Sequence, residues 1–180
     1  MTVLILGGVR SGKSSLGQQT ALKLSCGIHY YIATMIPTDG DDRERIRLHL
    51  LDREGMGFQT IEQGRDVEHC LSRIAPGSTL LLDSVTSLLM NELFTPENNY
   101  LPDETAANRV LAGLKQLISG AANVVFVSDY LFSDALRYDA STESFRSGLG
   151  MIHRELAAVC DSVVEVASGQ IILHKGVLPG

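Results

Sequence analysis

The chain is 180 residues long, with 44% hydrophobic and 20% charged residues, a composition that argues against disorder. Its length suits one domain over residues 1–180 and is too short for two ordinary ones. The 15 Lys and Arg against 21 Asp and Glu leave a net charge of −6, which argues against a broad basic face for nucleic acid, so any phosphate must be gripped locally.

Val3-Leu4-Ile5-Leu6, stopped by Gly7-Gly8, reads as a buried strand. Lys13 to Leu24 suits a helix. His29 to Ala33, rich in aromatic and β-branched residues, is a second strand. After a turn-like stretch from Thr38 to Gly40, a helix is expected from Asp41 to Arg53, its first-turn acids complementing the helix dipole. Phe58 to Glu62 reads as a short strand, and about Arg65 to Ile74 as a helix broken by Ala75-Pro76-Gly77. Thr79-Leu80-Leu81-Leu82-Asp83 is a buried strand ending in a carboxylate. A helix over Val85 to Leu93 and a loop from Thr95 to Asp103 follow. Glu104 to Ser119 has apolar residues at helical spacing: Val110, Leu111, Leu114, Leu117 and Ile118. Asn123 to Ser128 is a core strand, 129–140 an irregular segment and Ser141 to Cys160 a long helix. Two strands, Val163 to Ala167 and Ile171 to His174, turn at Ser168-Gly169.

Short apolar strands alternate with helices, which predicts an α/β fold with a mainly parallel sheet flanked by helices and a short antiparallel C-terminal strand pair. In such sheets ligands bind at the carboxyl ends of the strands. Cys26, Cys70 and Cys160 have no metal-ligand spacing, and an odd count does not suggest a disulfide framework, so each is expected to be a small core filler. No apolar run is long enough for a membrane span, and the N-terminal apolar stretch is too short for a secretory signal; a cytoplasmic protein is expected.

Gly7-Gly8-Val9-Arg10-Ser11-Gly12-Lys13-Ser14 fits GxxxxGK(S/T) between a strand and a helix. The glycines let successive N–H groups turn toward a phosphate chain, and the helix that follows adds the positive end of its dipole. Lys13 can reach β and γ phosphates, and the Ser14 hydroxyl can join a Mg²⁺ shell. This predicts a P-loop nucleoside triphosphate hydrolase-like fold. Asp83, ending an apolar strand, is either the second Mg²⁺ partner or an N-cap for the next helix, and Ser84 can do the capping instead.

Arg45, His49 and Arg53 are spaced by four and fall along one side of a helix. Like charges at that spacing suggest an anion nearby, and a neutral imidazole is a good nucleophile toward phosphorus. Most helical histidines are nonetheless solvated or structural. His29, His69, His153 and His174 read as bland, with no triad or zinc spacing.

Together these segments resemble the bifunctional adenosylcobinamide kinase / adenosylcobinamide-phosphate guanylyltransferase family of cobalamin biosynthesis. The resemblance rests on LILGGVRSGKSS, on Tyr31-Ile32-Ala33-Thr34, on the run from Asp39 to His49 with Arg53 after it, and on Thr60-Ile61-Glu62. It continues through Leu82-Asp83-Ser84-Val85-Thr86 with Asn91, then Phe145-Arg146, Gly150 and Leu156-Ala157-Ala158 with Asp161, from about residue 3 to 175. It implies that His49 is guanylylated by GTP. It also implies that Gly7 to Ser14, Ala33, Thr34, Arg45, Leu50, Leu51, Asp52, Arg53, Glu62 and Asp83 contact guanine nucleotide, with Mg²⁺ held by Ser14 and Asp83. The implied substrates are adenosylcobinamide and its phosphate, the phosphoryl donor ATP or GTP, and the assembly a homo-oligomer, expected to be a trimer.

The chain departs from the family at Asp129-Tyr130-Leu131-Phe132, usually Asn-Glu-Val-Gly, and at His153-Arg154, usually Asn-Gln; these positions would line the corrinoid side or the phosphoryl-transfer site. A guanylyltransferase-only member, a plain P-loop small-molecule kinase and a GTP-dependent switch remain as rival readings, the last without the usual Asn-Lys-x-Asp motif.

Overall fold

A computed structural model describes residues 1–38, 40–131 and 136–179, with residues 41, 42, 45, 49 and 52 described by backbone only. The elements in chain order are β1 (Thr2–Gly7), α1 (Lys13–Leu24), β2 (His29–Ala33), α2 (Gly40–Asp52), β3 (Gln59–Glu62), β4 (Thr79–Asp83), α3 (Val85–Leu93), α4 (Ala106–Gly120), β5 (Asn123–Asp129), α5 (Ala140–Val159), β6 (Ser162–Ala167) and β7 (Gln170–Lys175). The seven strands form one sheet in the order β3-β2-β4-β5-β1-β6-β7. All neighbours are parallel except β7, which runs antiparallel to β6 as expected from the turn at Ser168-Gly169.

Both faces are covered, so the central strands read as continuous apolar runs rather than alternating ones. Val3, Ile5, Leu81, Val125 and Val127 face α1 and pack with Ala21. The intervening Leu4, Leu80, Leu82, Val124 and Phe126 face α3, α4 and α5 in the larger core. Helix α1 lies close on the sheet at Gly17, where an added Cβ would stand 2.8 Å from Val127 Cγ2 and 3.1 Å from Leu81 Cδ1. Helix α4 buries Val110, Leu111, Leu114 and Leu117, four of the five positions its spacing singled out. Asp139 caps α5 by accepting the N–H groups of Ser141 and Thr142, at 3.0 and 3.1 Å.

Three expectations change. The segment expected as a helix over Arg65 to Ile74 is a 3₁₀ turn, Val67–Arg73, entered through a left-handed Asp66 at φ 45°. Its start is pinned to α3, because Glu92 Oε1 accepts the Asp66 N–H at 2.7 Å. The loop from Thr95 to Asp103 contains a 3₁₀ turn, Pro96–Asn98, and a bridge from Phe94 to Pro102. Cys26 is exposed on the surface beyond α1; only Cys70 and Cys160 are core fillers, and burial pushes their thiols up to about 11 and about 12. Among the described residues, no helix is long and apolar enough to cross a membrane.

Candidate active site

The loop after β1 turns on two left-handed residues, Arg10 at φ 57° and Gly12 at φ 95°, with Ser11 N donating to Gly8 O at 3.2 Å. At Gly7 a side chain would collide with Ser11 Oγ and with the Val166 carbonyl, 2.5 and 2.7 Å from an added Cβ. Gly12 hands the chain to α1 with no side-chain cap, so the first N–H groups of that helix stay available. Lys13 is 7% exposed; its Nζ donates to Gly8 O at 3.1 Å and pairs with Asp129 Oδ1 at 2.5 Å. A buried ammonium held by one carbonyl and one carboxylate is a ready partner for phosphate oxygens.

A cavity of about 340 Å³ opens at the carboxyl edge of the sheet on the α1 face. It brings together six of the residues singled out from the sequence: Lys13, Ser14, Ala33, Arg53, Glu62 and Asp83. Asp83 Oδ2 accepts a hydrogen bond from Tyr31 Oη at 3.0 Å. Ser84 caps α3, its side chain accepting from Ser87 N at 3.2 Å, so Asp83 is not needed as a cap and can face the cavity. The residues present fit Mg²⁺, since Ser14 and Asp83 both line the cavity and offer hard oxygen donors. Arg53 is 7% exposed and lies over the Tyr31 ring, 3.4 Å from its centroid. Its Nη1 is buried with no hydrogen-bond partner among the described residues, a donor suited to an incoming anion or carbonyl.

Other singled-out residues fall elsewhere. Thr34 is fully buried, its Oγ1 donating to Ser84 O at 2.8 Å and accepting from Ser84 N at 2.7 Å, so its side chain staples β2 to the start of α3. Leu50 and Leu51 are half-exposed and do not line the cavity. The side chains of Arg45, His49 and Asp52 lie outside the described residues; their backbone is part of α2. Position 49 sits between Ile46 and Arg53, both of which line the cavity.

Sequence reasoning missed Tyr31 as a wall residue, and placed Asp129 only as a departure lining the corrinoid side or the phosphoryl-transfer site. The available signal was strand parity: Tyr31 shares a face with Ala33, and Asp129 with Val127, on the side that α1 covers.

The opposite face of the same edge carries a neutral network. His153 Nε2 pairs with Ser128 Oγ at 2.8 Å, Ser128 Oγ with Thr86 Oγ1 at 3.0 Å, and Thr86 Oγ1 accepts the Asp129 N–H at 2.8 Å. Burial pulls the His153 imidazole down to about 4, opposed in part by the Asp129 charge, so the ring is neutral near pH 7. Its expectation as a bland helical histidine gives way to a buried, hydrogen-bonded one. Beside it runs an open groove of about 660 Å³ lined by Leu6, Tyr130, Arg146, His153 and Glu165 among others. In it Tyr130 Oη donates to Glu165 Oε1 at 3.0 Å, and His174 contacts Glu165 Oε2 at 2.9 Å; these bonds hold the Glu165 carboxyl below its usual range.

Solved structures with this fold include a protein from Pyrococcus horikoshii OT3 (TM-score 0.55, 11% identity, covering 98% of this chain and 86% of that one) and the ATPase domain of G40P (TM-score 0.54, 11% identity, 97% and 76%). At such identities they support the P-loop nucleotide-binding fold alone. The bifunctional adenosylcobalamin biosynthesis proteins of Escherichia coli K12 and Salmonella typhimurium LT2 are each 29% identical over 178 residues, covering 94% of this chain and 97% of theirs. That of Pseudomonas aeruginosa is 29% identical over 98% of both chains. The family model for cobinamide kinase / cobinamide phosphate guanyltransferase matches residues 3–173. With the loop, Asp83 and the α2 segment in one arrangement over that whole length, the chain belongs to the cobinamide kinase / cobinamide phosphate guanyltransferase family.

Proposed function

We propose that this chain phosphorylates adenosylcobinamide and then guanylylates the product, using one nucleotide cavity for both steps. The observation that carries the reading is the cavity itself. It joins Lys13, Ser14 and Asp83, a triphosphate and metal set, to Arg53 at the end of the helix that bears His49.

In the first step the hydroxyl of the aminopropanol arm attacks the γ-phosphorus of a nucleoside triphosphate, ATP or GTP. The P–O bond to the β-phosphate breaks and the diphosphate leaves. Lys13 and the loop N–H groups stabilise the charge spread over the transferring group. Mg²⁺ would supply further charge neutralisation when held by Ser14 and Asp83. In the second step His49 attacks the α-phosphorus of GTP and pyrophosphate leaves. The phosphate of adenosylcobinamide-phosphate then displaces the imidazole, giving adenosylcobinamide-GDP. The covalent intermediate splits one difficult displacement into two easier ones. Arg53, with its spare Nη1 donor, is placed to hold the nucleotide during this exchange.

Incubation with GTP labelled at the α-phosphate tests the reading. Acid-labile, base-stable label should map to His49, and His49→Ala should abolish it while nucleotide binding persists. A turnover mixture that makes product with no label on His49 would sink the covalent route. A homo-oligomer, a trimer by resemblance, is supported by the exposed apolar Ile171, Ile172 and Leu173 on edge strand β7, and light scattering reads it directly.

A further inference from the structure

We propose that Asp129 makes the nucleotide cavity selective for the metal complex of a triphosphate over the free triphosphate, a reading that rests on the nucleotide binding proposed above. Among the described residues, the charged walls of the cavity are Lys13, Arg43 and Arg53 against Glu62, Asp83 and Asp129, three basic side chains and three acidic ones. Their formal charges cancel, so the walls as a whole give little net attraction to a highly charged free triphosphate. Asp129 completes that balance. The family usually has Asn at this position, with the same shape and no charge, so the balance belongs to this chain.

Asp129 Oδ1 stands 2.5 Å from Lys13 Nζ, and the two side chains are only 15% and 8% exposed, so water and salt screen the pair weakly. An entering triphosphate competes for that ammonium. When Lys13 turns to phosphate oxygens, the carboxylate has no room to retreat. β5 pairs with β1 so that Asp129 is in register with Gly7, and Tyr130 N donates to Gly7 O at 3.2 Å. From the other face Thr86 Oγ1 accepts the Asp129 N–H at 2.8 Å, and Thr86 Oγ1 is itself bonded to Ser128 Oγ. The backbone is held from both sides, and the carboxylate stays beside the phosphate loop, where it repels a phosphate whose charge is not offset.

Mg²⁺ arriving with the nucleotide supplies the positive charge that Asp129 cancels, and Ser14 and Asp83 are the oxygen donors in the same cavity that would hold it. Free nucleotide brings no such charge. Asp129 therefore discriminates by opposing the metal-free form, which lacks the charge neutralisation that phosphoryl transfer needs.

Calorimetric titration with α,β-methylene-GTP, once in excess Mg²⁺ and once in EDTA, tests the proposal; the methylene bridge blocks transfer to His49. The parent should bind the metal complex at least about tenfold more tightly than the free analogue. Asp129→Asn should bind the free analogue about tenfold or more tightly than the parent does, with the metal complex changed by no more than about threefold. A gain confined to the metal-free form is one a damaged fold does not produce. Glu165→Gln removes an acid from the groove on the opposite face and should leave the metal preference within about twofold of the parent. An equal shift in that variant, or an unchanged preference in Asp129→Asn, would overturn the proposal. Should the Asn variant not fold, Asp129→Ser replaces it, and a parent with equal affinity for both forms overturns the proposal without any variant. A parent that binds neither form removes the nucleotide reading and this one with it. A parent whose metal preference is lost in Asp129→Asn, yet which neither phosphorylates adenosylcobinamide nor labels His49, overturns the proposed reactions and leaves the role of Asp129 standing.

Discussion

Ser128 and Asp129 are neighbours on one strand, yet they serve opposite chemistries. Asp129 turns to the α1 face and meets Lys13 in a cavity lined by acidic and basic side chains. Ser128 turns to the α5 face and meets a buried imidazole kept neutral by desolvation. The difference comes from what covers each face. On the α1 side the helix begins at the loop, so its N-terminus and Lys13 are presented at the strand ends, where charge can be used. On the other side α5 carries His153 inward at 8% exposure, where charge is costly and a hydroxyl-to-imidazole bond satisfies polar atoms instead. One face gathers charged side chains around an open cavity; the other closes its polar atoms in a neutral hydrogen-bonded network.

The sharpest way to break this comparison is Lys13→Ala. Removing the ammonium should lower triphosphate-dependent transfer by about 10²–10³-fold, the usual effect of losing a preorganised charge from a transition-state site. Turnover with GTP and acceptor measures it. Retention of more than a tenth of the rate would mean that the charged face is not the working one.

On the neutral face the expected effect is on stability. The folded imidazole titrates near 4 and the ordinary value is 6.5. Between those values the unfolded chain takes up a proton that the folded chain does not. The contribution is complete above pH 6.5 and is lost as pH falls toward 4, by on the order of 3 kcal/mol. Denaturant melts at pH 7 and pH 4.5 read the slope. His153→Gln should flatten it relative to the parent, and an unchanged slope would mean that the ring is not held neutral.

Tyr31→Phe sharpens the charged face with the smallest change. It keeps the ring under Arg53 and deletes the hydrogen bond to Asp83. A loss of about 1 kcal/mol in stability is expected, with a few-fold weaker Mg²⁺ requirement curve for nucleotide binding. Identical Mg²⁺ dependence in parent and variant would show that the hydroxyl does not orient Asp83.

Much of the site was legible because its grammar is local. Loop, helix start and capping all depend on residues within a few positions of one another, and Ser84 capping α3 could be read from a hydroxyl preceding a helix. Thr34 was legible as a residue that matters but not as a staple, because its partner Ser84 lies on another strand's end. At Val67–Arg73 the expected helix is a 3₁₀ turn, entered through Asp66, whose N–H bonds Glu92 of α3, a partner the local sequence does not show.

By itself, then, the order of amino acids determined the alternation of strands and helices and the phosphate loop, since side-chain period and glycine placement act over one or two turns of chain. Only the tertiary structure decided which acid meets Lys13, which ring supports Arg53 and which histidine is buried. Those partners sit on different strands and helices, and the sheet order β2-β4-β5-β1 helps bring them together. That order follows from how helices pack across two faces, a sum of many weak apolar contacts that no single segment records.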